Sequence, residues 1–181
     1  QPSEQVNARE MYQKISENLD IALANLENTS PYKINPNLAA AHALAARVHF
    51  TAEDYEKAYE HAKTVLNFSA YQLLDFNQLS VSSANPIAQF NSEVIFHSEF
   101  LAQSVLYSQL VLVNPELLGL YENGDLRKSI YYITRPNGNT NFRASYSGRV
   151  NLFGGLTLDE VYLTLAESAQ RIGRTTEALE A

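Results

Sequence analysis

Six alanines crowd into eight positions, Ala39, Ala40, Ala41, Ala43, Ala45 and Ala46, and this stretch constrains the fold more than any other. Alanine loses no side-chain entropy in a helix and leaves the backbone open to close approach. The stretch therefore predicts a helix packed tightly against another helix. Asn35-Pro36 offers a cap and a first-turn proline at its start, and the helix is expected to run to about Thr51. Thr51-Ala52-Glu53-Asp54 resembles a capping box opening a third helix to about Phe68, and so short a connection predicts an antiparallel hairpin.

Upstream, Met11, Ile15, Leu19, Ala22, Leu23 and Leu26 recur at steps of three and four, which predicts an amphipathic helix from Val6 to Leu26. Periodicity lapses after Ala70, with a polar stretch from Gln78 to Asn85 and a short extended segment at Glu93–His97. Asn114-Pro115 predicts a cap and a short helix through Tyr121, stopped by Gly124-Asp125. Residues 134–149 are rich in turn formers and poor in aliphatics, as an exposed loop or hairpin would be. Thr157-Leu158-Asp159-Glu160 repeats the capping-box pattern, opening a helix to about Ile172 that Gly173 separates from a last helical start at Thr175. The expected division is 1–70, helices; 71–150, an irregular insertion with a short helix and loops; and 151–181, a second helical unit.

Ala45-Ala46 with Ala58, and Leu165-Ala166 with Ala178, superpose without gaps at an offset of 120 residues. Together with Tyr55, three positions before Ala58, they fit tetratricopeptide-like (TPR-like) hairpins, whose period is about 34 residues. An ordinary helical hairpin with alanines at its crossing fits the same pattern. The fold expected is mainly α, TPR-like hairpins with an irregular, partly extended insertion between them.

Bulk properties narrow the function. Hydrophobic residues at 45% and charged residues at 18% describe a chain that folds. A net charge of -7 opposes nucleic-acid binding, which depends on neutralising phosphates, and opposes adhesion to anionic lipid. No apolar run reaches the roughly 20 residues of a spanning helix. The absence of cysteine removes disulfides and thiolate chemistry from these residues. The chain opens at Gln1 without Met or an apolar leader and stops at Glu180-Ala181 inside a helical pattern, so both ends are expected to be cut from something longer.

Four stretches, in this order and spacing, resemble the SusD/RagB family of Bacteroidetes outer-membrane lipoproteins. They are Ala40–Val48 with Asp54-Tyr55-Glu56-Lys57-Ala58; Asn91-Ser92-Glu93-Val94-Ile95-Phe96; Pro115–Leu118 through Asp125-Leu126-Arg127; and Gly155–Leu163 through Ala166-Glu167 and Arg171-Ile172-Gly173. The resemblance implies a TPR-like scaffold that presents an oligosaccharide- or polysaccharide-binding face at the cell surface. It also implies a SusC-like TonB-dependent transporter as partner and a lipid anchor supplied outside this segment. The sequence departs from the family in length, in lacking the lipid-bearing Cys, and in having Ser168 where related sequences often have Cys. Ligand contacts in the family lie in variable loops, so no motif here transfers a binding residue.

Chemistry must therefore be read residue by residue. His42 and His49 share a helix face but stand about 10 Å apart at 1.5 Å per residue, too far to hold one ion, so no metal or cofactor is expected. Asp159-Glu160 could suggest paired glycosidase carboxylates, yet helix capping and the macrodipole explain both acids. Ser145-Tyr146-Ser147-Gly148 lacks the preceding glycine of a nucleophile elbow, and no Walker or dinucleotide fingerprint occurs. An enzyme is not expected. Tyr131, Tyr132, Asn137 and Arg149 accompany the residues that best suit a sugar site: Asn139, Asn141, Phe142, Arg143 and Tyr146. A sugar presents an apolar C–H face and many hydroxyls, which call for aromatic surface beside amide and guanidinium groups. The competing reading is that these aromatics plug the scaffold and the asparagines form turns. The rival function is a TPR-type protein-interaction scaffold.

Overall fold

The computed structural model describes residues 7–100, 111–143, 145–149 and 151–181. Helix α1 spans Ala8–Asn25; the Val6 expected to begin it lies outside the described residues. Asn7 caps it by accepting the Glu10 N–H at 2.9 Å while Glu10 accepts the Asn7 N–H, a complete capping box.

Helix α2, Leu38–Thr51, carries the alanine stretch. Its cap is Asn37 and not Asn35, because Asn37 is held in extended backbone with its Nδ2 donating to the Tyr71 hydroxyl at 2.8 Å. That leaves Oδ1 to accept the Ala40 N–H at 3.0 Å. Helix α3, Tyr55–Val65, is capped by Asp54 rather than Thr51. Thr51 is still inside α2, donating to the Arg47 carbonyl at 2.8 Å, and Glu53 at φ 61° turns the chain between the helices.

The irregular middle is threaded by short antiparallel ribbons. Strand β1, Val94–Phe96, pairs with β6, Leu156–Thr157; β2, Glu99–Phe100, pairs with β5, Leu152–Phe153; and β3, Tyr132–Thr134, pairs with β4, Thr140–Phe142. Helix α4, Pro115–Gly119, starts at the expected Asn114 cap and stops short of Tyr121. Asp125 does not end it but caps a further helix, α5, Leu126–Tyr131. Helix α6, Leu158–Arg171, follows β6 directly, and α7, Thr175–Glu180, follows Gly173 at φ 80°. Thr157 sits at the α6 cap position without donating or accepting a side-chain capping bond, because it is paired to Val94 in the ribbon. Glu160, expected to close a capping box, instead binds Arg47 of α2.

The main core joins the alanine face of α2 to Tyr59, Ala62 and Val65 of α3 and to Leu158, Val161, Leu165 and Ala169 of α6. Ala46 and Ala58 are buried where α2 crosses α3, and Ala178 of α7 packs against the same core. The hairpins α2–α3 and α6–α7 therefore stack, α3 on α6, in a mainly α, TPR-like arrangement. Tyr59 extends from this core so that its hydroxyl meets Glu177 of α7. A smaller core of Ile87 and Ile130, flanked by Leu74, Phe76, Tyr131 and Tyr146, supports the middle region.

Candidate functional site

The site is built on the β3–β4 hairpin and the helix that feeds it. Asp125 accepts the Arg127 N–H at 3.0 Å and holds the same residue's guanidinium at 2.6 Å, which fixes the start of α5. The helix runs without a linker into β3, whose register is Tyr132↔Phe142, Ile133↔Asn141 and Thr134↔Thr140. Paired residues share a face, so two aromatics and two threonines lie along one side. The Tyr132 and Phe142 rings meet edge-on at 6.2 Å, and the two threonine hydroxyls are 3.0 Å apart. Gly138, at φ 85°, lets the turn close with the Arg135 N–H on the Asn139 carbonyl at 2.8 Å.

The five residues singled out from the sequence have distinct settings. Asn139 shapes the turn, its N–H donating to Asn137 Oδ1 at 3.1 Å. Asn141 is buried; its Nδ2 donates to the Val111 carbonyl at 2.8 Å and its Oδ1 accepts from Arg135 Nε at 3.3 Å. Phe142 packs on Tyr132. Arg143 spans the end of α5, donating to the Ser129 carbonyl at 2.6 Å and the Ile130 carbonyl at 3.3 Å, as a cation suits a helix C-terminus. Tyr146 leaves the hairpin altogether. Its hydroxyl donates to Asp159 Oδ2 at 2.8 Å, and its ring lies 5.6 Å from that of Phe153.

Two concavities flank this framework. The first, an open cleft of about 680 Å³, takes Tyr132, Thr134, Thr140 and Arg143 from the hairpin region and Lys128 and Ser129 from α5. The Tyr132 hydroxyl contacts that of Tyr121 at 3.1 Å, and burial together with this neighbour pushes the Tyr132 phenol up to about 12. It stays protonated at neutral pH and can both donate and accept. Hydroxyls, an ammonium and an aromatic ring converge here beside the carboxyl groups of Glu122 and Asp125, a composition suited to holding a polyhydroxylated ligand. The second concavity, about 500 Å³, has aromatic walls from Phe76, Tyr131, Tyr146 and Tyr162 and acidic groups at Glu93 and Asp159. Arg143 and Tyr146 thus belong to different cavities.

The threonine pair and Tyr162 went unmarked in the sequence because their roles depend on cross-strand register and on stacking between distant helices. The alternation Tyr132-Ile133-Thr134 beside Thr140-Asn141-Phe142, around an Asn-Gly turn, was the available signal.

Elsewhere, Ser145 and Ser147 bond one another at 2.7 Å, and Ser147 also donates to the Asn151 carbonyl at 2.6 Å, so both serve the turn. Gly148 is required there: its φ is 67°, and a Cβ would stand 2.3 Å from the Gln89 nitrogen. His42 meets His61 of α3, Nδ1 to Nδ1 at 3.0 Å, and the His49 ring stacks parallel to that of His61 at 5.5 Å. Among the described residues no three His, Asp or Glu side chains gather as a metal site, and no helix is long and apolar enough to cross a membrane.

The fold is SusD-like. A SusD superfamily protein from Bacteroides thetaiotaomicron VPI-5482 is similar at a TM-score of 0.68 and 23% identity, over 93% of this chain and 44% of that one. A SusD-like carbohydrate binding protein from Bacteroides vulgatus ATCC 8482 is similar at 0.68 and 17%, over 94% and 41%. Surface glycan-binding protein A from Bacteroides uniformis is similar at 0.70 and 15%, over 97% and 49%. The chain thus spans less than half the length of these structures. No protein-family model and no curated protein sequence matches it.

Proposed function

We propose that the protein is a non-catalytic glycan-binding component of a SusC/SusD-like outer-membrane uptake system. The observation that carries this reading is the open cleft beside the β3–β4 hairpin, where Tyr132 and the Thr134–Thr140 hydroxyl pair converge on a SusD-like scaffold. A pyranose needs an aromatic partner for its C–H face and short polar groups for its hydroxyls, and the cleft supplies both. Of the residues marked in the sequence, Arg143 lines this cleft, while Asn139, Asn141 and Phe142 set the hairpin that shapes it. In this reading an oligosaccharide or polysaccharide is captured at the cell surface and passed to a SusC-like TonB-dependent transporter. Attachment is through a lipid anchor outside these residues.

Titration calorimetry with neutral oligosaccharides and, separately, with peptides tests the reading. Saturable oligosaccharide binding that weakens in Tyr132→Ala is expected. Peptide binding without oligosaccharide binding would favour an interaction scaffold instead.

A further inference from the structure

The cleft beside the β3–β4 hairpin holds a cation that the protein leaves without a counterion. Arg47, Arg127, Arg149, Arg171 and Arg174 each pair with a carboxylate. Arg143 pairs with none among the described residues. Its guanidinium donates to the carbonyls of Ser129 at 2.6 Å, Ile130 at 3.3 Å and Ser83 at 3.4 Å. Carbonyls at a helix end present roughly half an elementary charge, which orients a guanidinium without neutralising it. The pKa values carry the same contrast: hydrogen bonds to acids raise Arg127 and Arg171, whereas burial lowers Arg143 with no acid to oppose it. The carbonyls use Nε and one N–H on each Nη, so each Nη keeps one further N–H. Arg143 is partly exposed and lines the cleft.

Lys128, exposed on α5 beside Ser129, lines the same cleft and has no ion pair among the described residues. Two acids face these cations. Asp125 is already neutralised by Arg127, through Nη2 at 2.6 Å and Nε at 3.0 Å, which leaves Glu122. The lining thus carries one positive charge in surplus, on a chain whose net charge is -7. The long-range field of such a chain repels anions, so any attraction for one must come from the cleft itself. One carboxylate would complete the local balance, and its two oxygens suit the paired N–H groups of a guanidinium.

We infer that the cleft selects a glycan bearing a sugar acid, with Arg143 and Lys128 receiving its carboxylate while Tyr132 and the Thr134–Thr140 pair hold the neutral remainder. The inference rests on the glycan-binding reading and names the class of sugar within it. Neutral glycans still bind through the ring and the hydroxyls, but more weakly.

The test is calorimetric titration of the purified protein at neutral pH with a tetrasaccharide that carries one glucuronate and with the methyl ester of the same tetrasaccharide. Esterification removes the charge and keeps the sugar skeleton. The acid is expected to bind about tenfold tighter than the ester, the scale of a charge-assisted hydrogen bond, and the ratio is expected to shrink with added salt. Arg143→Gln should bring the ratio close to one. Because Arg143 also holds the end of α5, a thermal melt accompanies it; where that variant unfolds or binds neither ligand, Lys128→Gln decides, with the ratio expected to fall about threefold. Equal affinity for acid and ester overturns the inference, as does a ratio unchanged in the deciding variant. An ester bound through Tyr132 with no preference for the acid would overturn only this inference, whereas neither ligand bound by the parent, together with no neutral oligosaccharide bound, would overturn the glycan reading as well.

Discussion

Arg47 on α2 grips Glu160 on α6 with two prongs, Nε to Oε1 and Nη2 to Oε2, each at 2.5 Å, while Nη2 also donates to the Gly155 carbonyl at 2.8 Å. The contact ties the first hairpin to the second across 113 residues of sequence. Both side chains are more than a third exposed, so solvent screens the pair and its worth is modest despite the bidentate geometry. Arg47→Met and Glu160→Gln are each expected to lower stability by about 1 kcal/mol in urea unfolding. A double-mutant cycle should return a coupling of about 0.5–1 kcal/mol. Independent, additive effects would show that the pair does not link the hairpins.

The buried crossing of α2 and α3 gives a second expectation. Ala46 and Ala58 leave no room for larger side chains, so Ala46→Leu or Ala58→Leu should cost about 1–3 kcal/mol through overpacking. Leu at the exposed Thr51 should be nearly neutral. Thermal melts of the three variants check this, and unchanged melting of the first two would contradict the tight crossing.

Acid should weaken the same hairpin. Burial lowers the pKa values of His42 and His49, and burial together with both neighbouring imidazoles lowers His61 to about 4. Asp20 of α1 and Asp54 favour the charged forms and Lys57 opposes them, but the depression wins. A histidine whose folded pKa lies below its unfolded value of about 6.5 takes up protons more readily when unfolded. Its contribution to stability is complete above pH 6.5 and is lost as pH falls toward 4. Melting temperature should therefore drop across that window, and His61→Gln should flatten the drop. A profile unaffected by His61→Gln would contradict the assignment.

Tyr146 is expected to be structural as well as cavity-lining, since it packs on the Ile87–Ile130 core and bonds Asp159. Truncation to Ala should cost about 3–5 kcal/mol, while Tyr146→Phe, which removes only the hydroxyl and strands Asp159, should cost about 1–2 kcal/mol. Chemical denaturation distinguishes them; a Tyr146→Ala variant as stable as the parent would return Tyr146 to an exposed loop.

Helix existence was readable in the sequence because it depends on spacing alone: the alanine run and the three-and-four pattern from Met11 to Leu26 specify α1 and α2 without reference to anything distant. Caps were read less well wherever a remote partner decided between neighbouring candidates. Tyr71 selects Asn37 over Asn35, and Arg47 draws Glu160 away from a capping box. Helix α5 was missed because its six residues are too few to display a period, and its only local sign is Asp125 two positions before Arg127. The aromatic and amide composition of residues 131–149 marked the right neighbourhood for a cavity. It gave no sign that Arg143 and Tyr146 face different ones, since that division arises from the long-range bond of Tyr146 to Asp159.

The central claim is most directly tested by titrating the protein with a panel of neutral oligosaccharides, with chromatography of each mixture after prolonged incubation. Saturable binding of at least one oligosaccharide is expected, with the sugar recovered intact and affinity at least tenfold weaker in Tyr132→Ala. Accumulating cleavage products, no oligosaccharide bound, or full affinity retained in Tyr132→Ala would contradict non-catalytic glycan capture in the cleft beside the β3–β4 hairpin.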